Sequence, residues 1–289
     1  MIDVLHERLS RAAITTQGNE CALSYIDLGD GPPLLLIHGG HGGWYHWVSN
    51  IEALSTHSRV IAPDLPGFGK STKPQSDFTL KLAASELFAF LDRLGVVTFD
   101  IAAFSFGACV AAQMAVQAPH RVRSLAMVNP AGMGPVSRRL DGIQNAAAQA
   151  AKSHGLEQGV RISLESIMVS DARLVTEELC VIAANHVRAT RVQTRPIART
   201  HPTRALLERV RAPMWLVLGS QDPHQQYELD LRSNFVRAIS EGNTASIAHT
   251  AHWLQFEAAP WFNDSLSTFI DRVRSKRVTP RTIDTGCPT

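Results

Sequence analysis

The sequence predicts an α/β protein: a mostly parallel sheet flanked by helices, with an all-helical insertion late in the chain. Three observations predict it. Short runs that are apolar throughout, such as Pro33 to Ile37 and Val122 to Val128, read as strands covered on both faces. Between the runs lie stretches with apolar residues at helical spacing, and strand–helix alternation is the pattern of parallel βαβ units. From Gly134 to about Glu208 the alternation stops: no strand-like run occurs, and the segment is rich in Ala and Arg with a helical pattern.

Composition bounds the function. A chain of 289 residues, 45% hydrophobic and 19% charged, can bury a full core and fits one large domain with an insertion. A net charge of +2 with no dense Lys/Arg block argues against a nucleic-acid partner. Cys21, Cys109, Cys180 and Cys287 lie far apart with no Cys-x-x-Cys pair, as free thiols in a reducing compartment would. The charged start, Met1 to Ser10, is too polar for a signal segment and no run approaches the length of a membrane span. A cytoplasmic protein without a membrane partner is therefore expected.

In order, Arg11 to Thr16 and Cys21 to Leu28 read as strands joined by Gln17-Gly18-Asn19-Glu20, whose Gly and Asn suit a hairpin turn. Pro33 to Ile37 follows, then His38-Gly39-Gly40-His41-Gly42-Gly43-Trp44, where four glycines imply backbone that must approach something closely. Trp44 to Leu54 reads as a helix, Arg59 to Ala62 as a strand and Asp64 to Ser71 as a loop. In Phe78 to Leu94, Leu80, Ala84, Leu87, Leu91 and Leu94 form one face of a helix. Pro213 to Leu218 and Thr244 to Ala248 are the late strands, with a helix from Gln225 to Ile239 and a last helix from near Pro260. Ser275 to Thr289 is polar and aperiodic, a disordered tail by composition. The expected organisation is a core of residues 1–133 and 209–274, a helical insertion of 134–208 and a tail of 275–289. The insertion carries ten Lys/Arg against seven Asp/Glu, a net +3 that suits a solvated helical face or an arginine reading a substrate carboxylate.

Phe99 to Phe104 ends at Ser105, and a helix-compatible run begins at once. The serine therefore sits in a sharp strand-to-helix turn, with the small residues Ala103 and Gly107 where strand and helix backbones nearly touch. Such a turn lifts Ser105 above the sheet and aims the N–H of Phe106 at a developing oxyanion. Taken alone, the stretch equally fits a buried turn serine between two phenylalanines.

The order of five motifs decides between these readings. They are His38-Gly39-Gly40, Asp64-Leu65-Pro66-Gly67-Phe68-Gly69-Lys70-Ser71, Ala103-Phe104-Ser105-Phe106-Gly107, Gly219-Ser220-Gln221-Asp222, and His252-Trp253 with Glu257 and Pro260. Over roughly residues 20 to 274 the chain resembles the α/β-hydrolase superfamily, in the branch with a helical cap after the sixth strand. The resemblance implies an α/β-hydrolase fold: a mostly parallel eight-stranded sheet flanked by helices, the cap inserted after strand 6. It implies a serine hydrolase with the chain order Ser105, Asp222, His252. His252 would take the Ser105 proton, Asp222 would orient and offset the imidazole, and the N–H groups of Gly40 and Phe106 would hold the oxyanion.

His249 competes with His252, but His252 has the Trp253, Glu257 and Pro260 context. Asn129, where some relatives carry the acid, cannot supply the charge. His38, His41 and His46 lack a carboxylate or Cys at ligand spacing, so no metal is expected, and no cofactor. Trp44, Trp47, Phe104, Phe106 and Trp253 suit packing, with Trp44, Phe104 and Trp253 taken as candidates for a substrate pocket. The expected partner is a small-molecule substrate. Trp261, Leu266, Phe269 and Val273 on the last helix form an apolar face that suits the core or a homo-oligomer interface.

A partial likeness to hydrolases of meta-ring-fission products runs through Gly39 to Trp44, Asn129 to Pro135, Leu174 to Leu179 and His252-Trp253. Phe104 stands where those enzymes carry Asn, and Ala183 and Ala184 where they carry a substrate-binding arginine; Arg188 or Arg191 are the candidates to replace it. The leading expectation is hydrolysis of a small, largely apolar ester, thioester or lactone. Carbon–carbon hydrolysis of a ring-fission dienoate is second, ahead of a non-catalytic receptor on the same fold and a cofactor-free perhydrolase activity.

Overall fold

In the computed structural model, residues 2–135, 138–224 and 228–278 are described. Eight strands form one sheet: β1 (Ile14–Gln17), β2 (Ala22–Leu28), β3 (Pro33–Ile37), β4 (Arg59–Pro63), β5 (Phe99–Phe104), β6 (Val122–Val128), β7 (Met214–Gly219) and β8 (Thr244–Ala248). Their spatial order is β1-β2-β4-β3-β5-β6-β7-β8. Only the β1–β2 and β2–β4 pairings are antiparallel; every pairing from β4 onward is parallel. Central β5 is buried along its whole length and is apolar on both faces apart from Asp100, which pairs with Arg123 and Arg274.

Helix α1 (Ile2–Ala12) precedes the sheet, α2 (Ile51–Ser55) follows β3, and α3 (Leu80–Arg93) and α4 (Phe106–Gln117) flank β5 in sequence. Thr79 caps α3, its hydroxyl accepting from the Leu82 N–H at 3.1 Å. Between β6 and β7 lie α5 (Arg138–His154), α6 (Leu156–Ser163), α7 (Glu177–Ala189), α8 (Arg195–Ala198) and α9 (Pro202–Leu207), with no strand among the described residues. A π-turn, Leu164–Met168, continues α6. The chain ends in α10 (Leu229–Ile239), α11 (Leu254–Glu257) and α12 (Ala259–Val278).

Two apolar cores cover the sheet. One packs α3 and α4 through Leu87, Phe90, Ala111 and Met114; the other packs α12 and the turn after β3 through Phe262, Leu266, Ile270 and Trp47. Three expectations need correction. The polar start is helical, because Leu5 and Leu9 share a face that packs inward, and the first strand starts at Ile14. Trp44 to Leu54 breaks into a 3₁₀ turn, Trp44–Trp47, and α2, because buried Asn50 between them turns its amide to the Gln255 carbonyl and Asn263 Oδ1, each at 2.8 Å. On the last helix, Leu266, Phe269 and Val273 are core whereas Trp261 is 41% exposed. Helix α12 continues to Val278, into the stretch read as a tail; the remainder of that stretch, including Cys287, lies outside the described residues, as do residues 225–227 of the expected helix from Gln225. Cys21, Cys109 and Cys180 are free and buried. No helix among the described residues is long and apolar enough to cross a membrane.

Candidate active site

Ser105 sits between the last residue of β5 and the first of α4 with φ 51° and ψ −117°, a conformation costly for any residue with a Cβ. The surrounding structure holds it there: the Ser105 N–H donates to the Val128 carbonyl at 2.9 Å and its own carbonyl accepts from Ala131 at 3.0 Å. Gly107 is small because a Cβ there would lie 2.6 Å from the carbonyl oxygens of both Ile37 and His38, at the end of β3.

The Ser105 hydroxyl lies 3.0 Å from His252 Nε2, and His252 Nδ1 lies 2.7 Å from Asp222 Oδ2. Asp222 is supplied by the loop after β7 and His252 by the loop after β8, and both are buried. Burial alone would raise the Asp222 carboxyl, but the charges and hydrogen bonds of His252 and His224 hold it well below the usual carboxylate range. Burial lowers the His252 imidazole against the pull of Asp222, so at neutral pH it is a proton acceptor. A hydroxyl on a neutral imidazole that is backed by a buried carboxylate can pass its proton to the ring as it attacks a carbonyl carbon.

The Phe106 N–H opens α4 and has no partner within the helix. Gly40 lies beside it: a Cβ at Gly40 would come 3.8 Å from Phe106 Cβ and 2.9 Å from Thr194 Oγ1. Two histidines lace the loop that presents Gly40. Leu65 N–H donates to His38 Nε2 at 2.8 Å, His38 Nδ1 lies 2.7 Å from the Gly39 carbonyl, and the Gly39 N–H donates to His46 Nδ1 at 3.2 Å. Burial lowers His38 to about 4 and, with the neighbouring histidines, His46 well below its ordinary value, so both are neutral.

Two residues given no role from the sequence, His224 and Asn129, organise this centre. His224 donates to Asp222 Oδ1 through its backbone N–H at 2.8 Å and places Nδ1 2.9 Å from the same oxygen; its ring stacks on His252 with centroids 4.2 Å apart. Asn129 cannot be the acid, but its Nδ2 donates to the carbonyls of Ala251 and His252 at 3.2 and 2.8 Å, and its Oδ1 accepts the Gly219 N–H at 2.8 Å. His224 belongs to no motif, and Asn129, at the head of the Asn129 to Pro135 stretch, drew attention only as a position for the acid; their places two after Asp222 and at the end of β6 are the signals that point to these roles. Asp222, His224 and His252 bring a carboxylate and two imidazoles within 4.8 Å, a donor set suited to a metal by composition. Both carboxylate oxygens are engaged by the two histidines, so a cation there would have to break those bonds.

Ser105, His252, Gly40 and Phe106 open onto a cavity of about 480 Å³. Its apolar lining includes Ala147, Ala148 and Ala151 of α5, Val160 of α6, and Leu164 and Ile167 of the π-turn, and its charged lining Arg195, Arg199 and Arg232. Arg195 and Arg199 share Asp141 Oδ1 at 3.2 and 2.8 Å. The pocket candidates Trp44, Phe104 and Trp253 do not line this cavity. Trp44 stacks on His6, Phe104 packs against the rings of His46 and His252, and Trp253 donates its indole N–H to the His46 carbonyl at 2.8 Å. Of the two candidate arginines, Arg188 pairs with Glu157 and Asn185, and Arg191 with the Gly69 and Ser71 carbonyls. Ala183 lines the cavity, where an arginine would have stood.

A family model described as the alpha/beta hydrolase fold matches residues 32–172. The chain is 28% identical over 262 residues to a dihydrolipoyllysine-residue acetyltransferase component of an acetoin cleaving system from Pseudomonas putida, covering 86% of this chain and 66% of that protein. It is 35% identical over 111 residues to a 2-hydroxy-6-oxo-2,4-heptadienoate hydrolase from Pseudomonas putida, covering 37% of this chain and 40% of that one. The matches thus span about two thirds of the first relative's length and well under half of the second's. The crystal structure of naproxen esterase from Bacillus subtilis superposes with a TM-score of 0.77 at 20% identity, covering 93% of this chain and 96% of that one. Sequence match and fold agree on one architecture, and the chain has the α/β-hydrolase fold.

Proposed function

We propose that this protein is a serine hydrolase that cleaves a small, largely apolar carboxylic ester, thioester or lactone through Ser105, His252 and Asp222. The observation that carries this reading is the continuous chain of contacts Ser105 Oγ, His252 Nε2, His252 Nδ1 and Asp222 Oδ2, at 3.0 and 2.7 Å, opening onto a largely apolar cavity. Ser105 Oγ attacks the carbonyl carbon while its proton passes to His252 Nε2, and the tetrahedral oxyanion sits against the Gly40 and Phe106 N–H groups. Collapse breaks the bond to the leaving group, which takes the proton from His252 and departs, leaving an acyl-enzyme. Water then attacks, its proton passing to Nε2 and from there to Ser105 as the acid leaves. Arg195 and Arg199, two guanidinium groups sharing one Asp141 oxygen, favour a substrate that also bears an anionic group.

Carbon–carbon hydrolysis of a ring-fission dienoate is the second reading, favoured by the match to the heptadienoate hydrolase. Phe104 under the histidine and Ala183 in the wall support the ester instead. The test pairs wild type with Ser105→Ala on para-nitrophenyl esters of increasing acyl length, beside a ring-fission dienoate. Ester turnover should fall by about 10⁴-fold or more in Ser105→Ala, and retained turnover would refute the mechanism. Fast dienoate decay with feeble ester turnover would put the second reading first.

A further inference from the structure

The catalytic acid of this site is held by two imidazoles, and the reaction proposed above uses only one of them. Asp222 is fully buried, so each of its oxygens needs donors, and an ionised oxygen left without them would cost far more than a neutral one. His252 Nδ1 serves Oδ2. Among the described residues Oδ1 is served by His224, with its backbone N–H at 2.8 Å and ring Nδ1 at 2.9 Å. The same ring covers one face of His252 at 4.2 Å and 29° and lines the cavity, while the Phe104 ring lies 4.9 Å away on His252.

We propose that His224 is a positioning residue for the general base: its ring donor fixes Asp222 against rotation, and its stacked imidazole fixes the plane of His252 and sets how readily that ring gains a proton. The argument rests on the proposed roles of Ser105, His252 and Asp222. A carboxylate with one oxygen bound and the other bonded only to the backbone can turn about its Cβ–Cγ axis, and His252 would then lose the alignment that points Nε2 at Ser105. A proton on His224 would disfavour a second one on the ring stacked against it. The other groups around the pair are Ser105 in the turn after β5, His46 after β3, which is kept neutral by burial, and Arg232 of α10 on the cavity wall, which is paired with Glu228 at 2.9 Å.

Two variants separate donor from ring. His224→Asn keeps an N–H donor near the position of Nδ1 and loses the imidazole; His224→Phe keeps a stacking ring and loses the donor. The measurement is the rate at which a fluorophosphonate modifies Ser105 across pH. In that reaction Oγ bonds to phosphorus, fluoride leaves, and the Ser105 proton passes to His252, so the rate reads the base without any assumption about the natural substrate. His224→Phe should lower the plateau rate by about tenfold or more, the worth of one hydrogen bond to a buried charge. His224→Asn should return it to within about threefold of wild type. In both, the rise of rate with pH should move upward by about half a pH unit, since neither carries the second imidazole. A His224→Phe plateau and midpoint equal to wild type would overturn the proposal, as would a His224→Asn variant no faster than His224→Phe. So would losses that merely follow a lowered unfolding temperature with the midpoint unmoved. Failure of wild type to form a Ser105 adduct would instead remove the hydrolase reading on which the proposal stands.

Discussion

Asn129 shows how one side chain can hold an active-site geometry without touching its reacting atoms. It tethers the carbonyls of Ala251 and His252 to the Gly219 N–H, so the loops that carry His252 and Asp222 are tied to the end of β6. Its φ of 42° is one that Asn tolerates and Ala does not. Asn129→Ala should therefore lower unfolding free energy by about 3 kcal/mol or more, three hydrogen bonds plus backbone strain, read by urea denaturation. Ester turnover should fall with it. A loss under 1 kcal/mol would mean that the loops hold themselves. At this scale the sequence made legible which three side chains meet, because Ser105, Asp222 and His252 each sit in a motif at the end of a strand. Asn129 and His224 were not legible, because their roles come from loops brought together across the sheet. Trp44, Phe104 and Trp253 were misplaced for a related reason: closeness in sequence to the site says nothing about which side of the backbone a ring packs on.

The central strands were read close to their bounds because strands covered on both faces are apolar throughout, and α3 because a 3.6-residue period survives where one helix face is buried. What was lost depended on contacts from elsewhere. The break before α2 is made by Asn50 reaching Gln255 and Asn263, more than 200 residues away. The π-turn after α6 gives its Ile167 and Met168 carbonyls to the N–H groups of His252 and Trp253 at 3.1 and 2.7 Å, so the inserted helices grip the loop that carries His252. Glu257 reinforces this grip, accepting from the Ala251 and Ser170 N–H groups at 2.9 and 2.7 Å. Within the insertion, α5 and α6 approach at Gly159, where a Cβ would lie 2.5 Å from the Ala147 carbonyl oxygen and 2.6 Å from Ala151 Cβ. Gly159→Ala must push these helices apart at a cost of about 1–3 kcal/mol. Because Ala147, Ala151 and Gly159 also wall the cavity, KM for the longer acyl esters should change more than KM for acetate esters. Equal changes for all chain lengths would place the acyl group elsewhere.

Across the whole molecule, buried histidines tie stability to pH. His38 is lowered to about 4 and His186 to about 3, with His46 and His252 also lowered, burial leading in each case. The unfolded chain protonates all four below about 6.5 and the native protein does not, so the native state binds fewer protons and loses stability as pH falls. Asp64, raised to about 6 by burial, works in the opposite sense: it keeps a proton in the native state that the unfolded chain gives up above about 4. With several histidines lowered against one carboxyl raised, the histidine effect leads as pH falls below about 6.5. The Asp222 contribution is present above the ordinary carboxylate range and lost as pH falls through and below it. Urea denaturation at a series of pH values should show stability falling from near pH 6.5 downward; a flat profile to pH 4 would contradict the neutral buried histidines. The most direct test of the account is the intact mass and peptide map of wild type and His252→Ala after incubation with a fluorophosphonate. One adduct per chain, on Ser105, in wild type and none within the same time in His252→Ala is the expected result. A wild type that stays unmodified, or is modified at another residue, would contradict the assignment of Ser105 as the nucleophile.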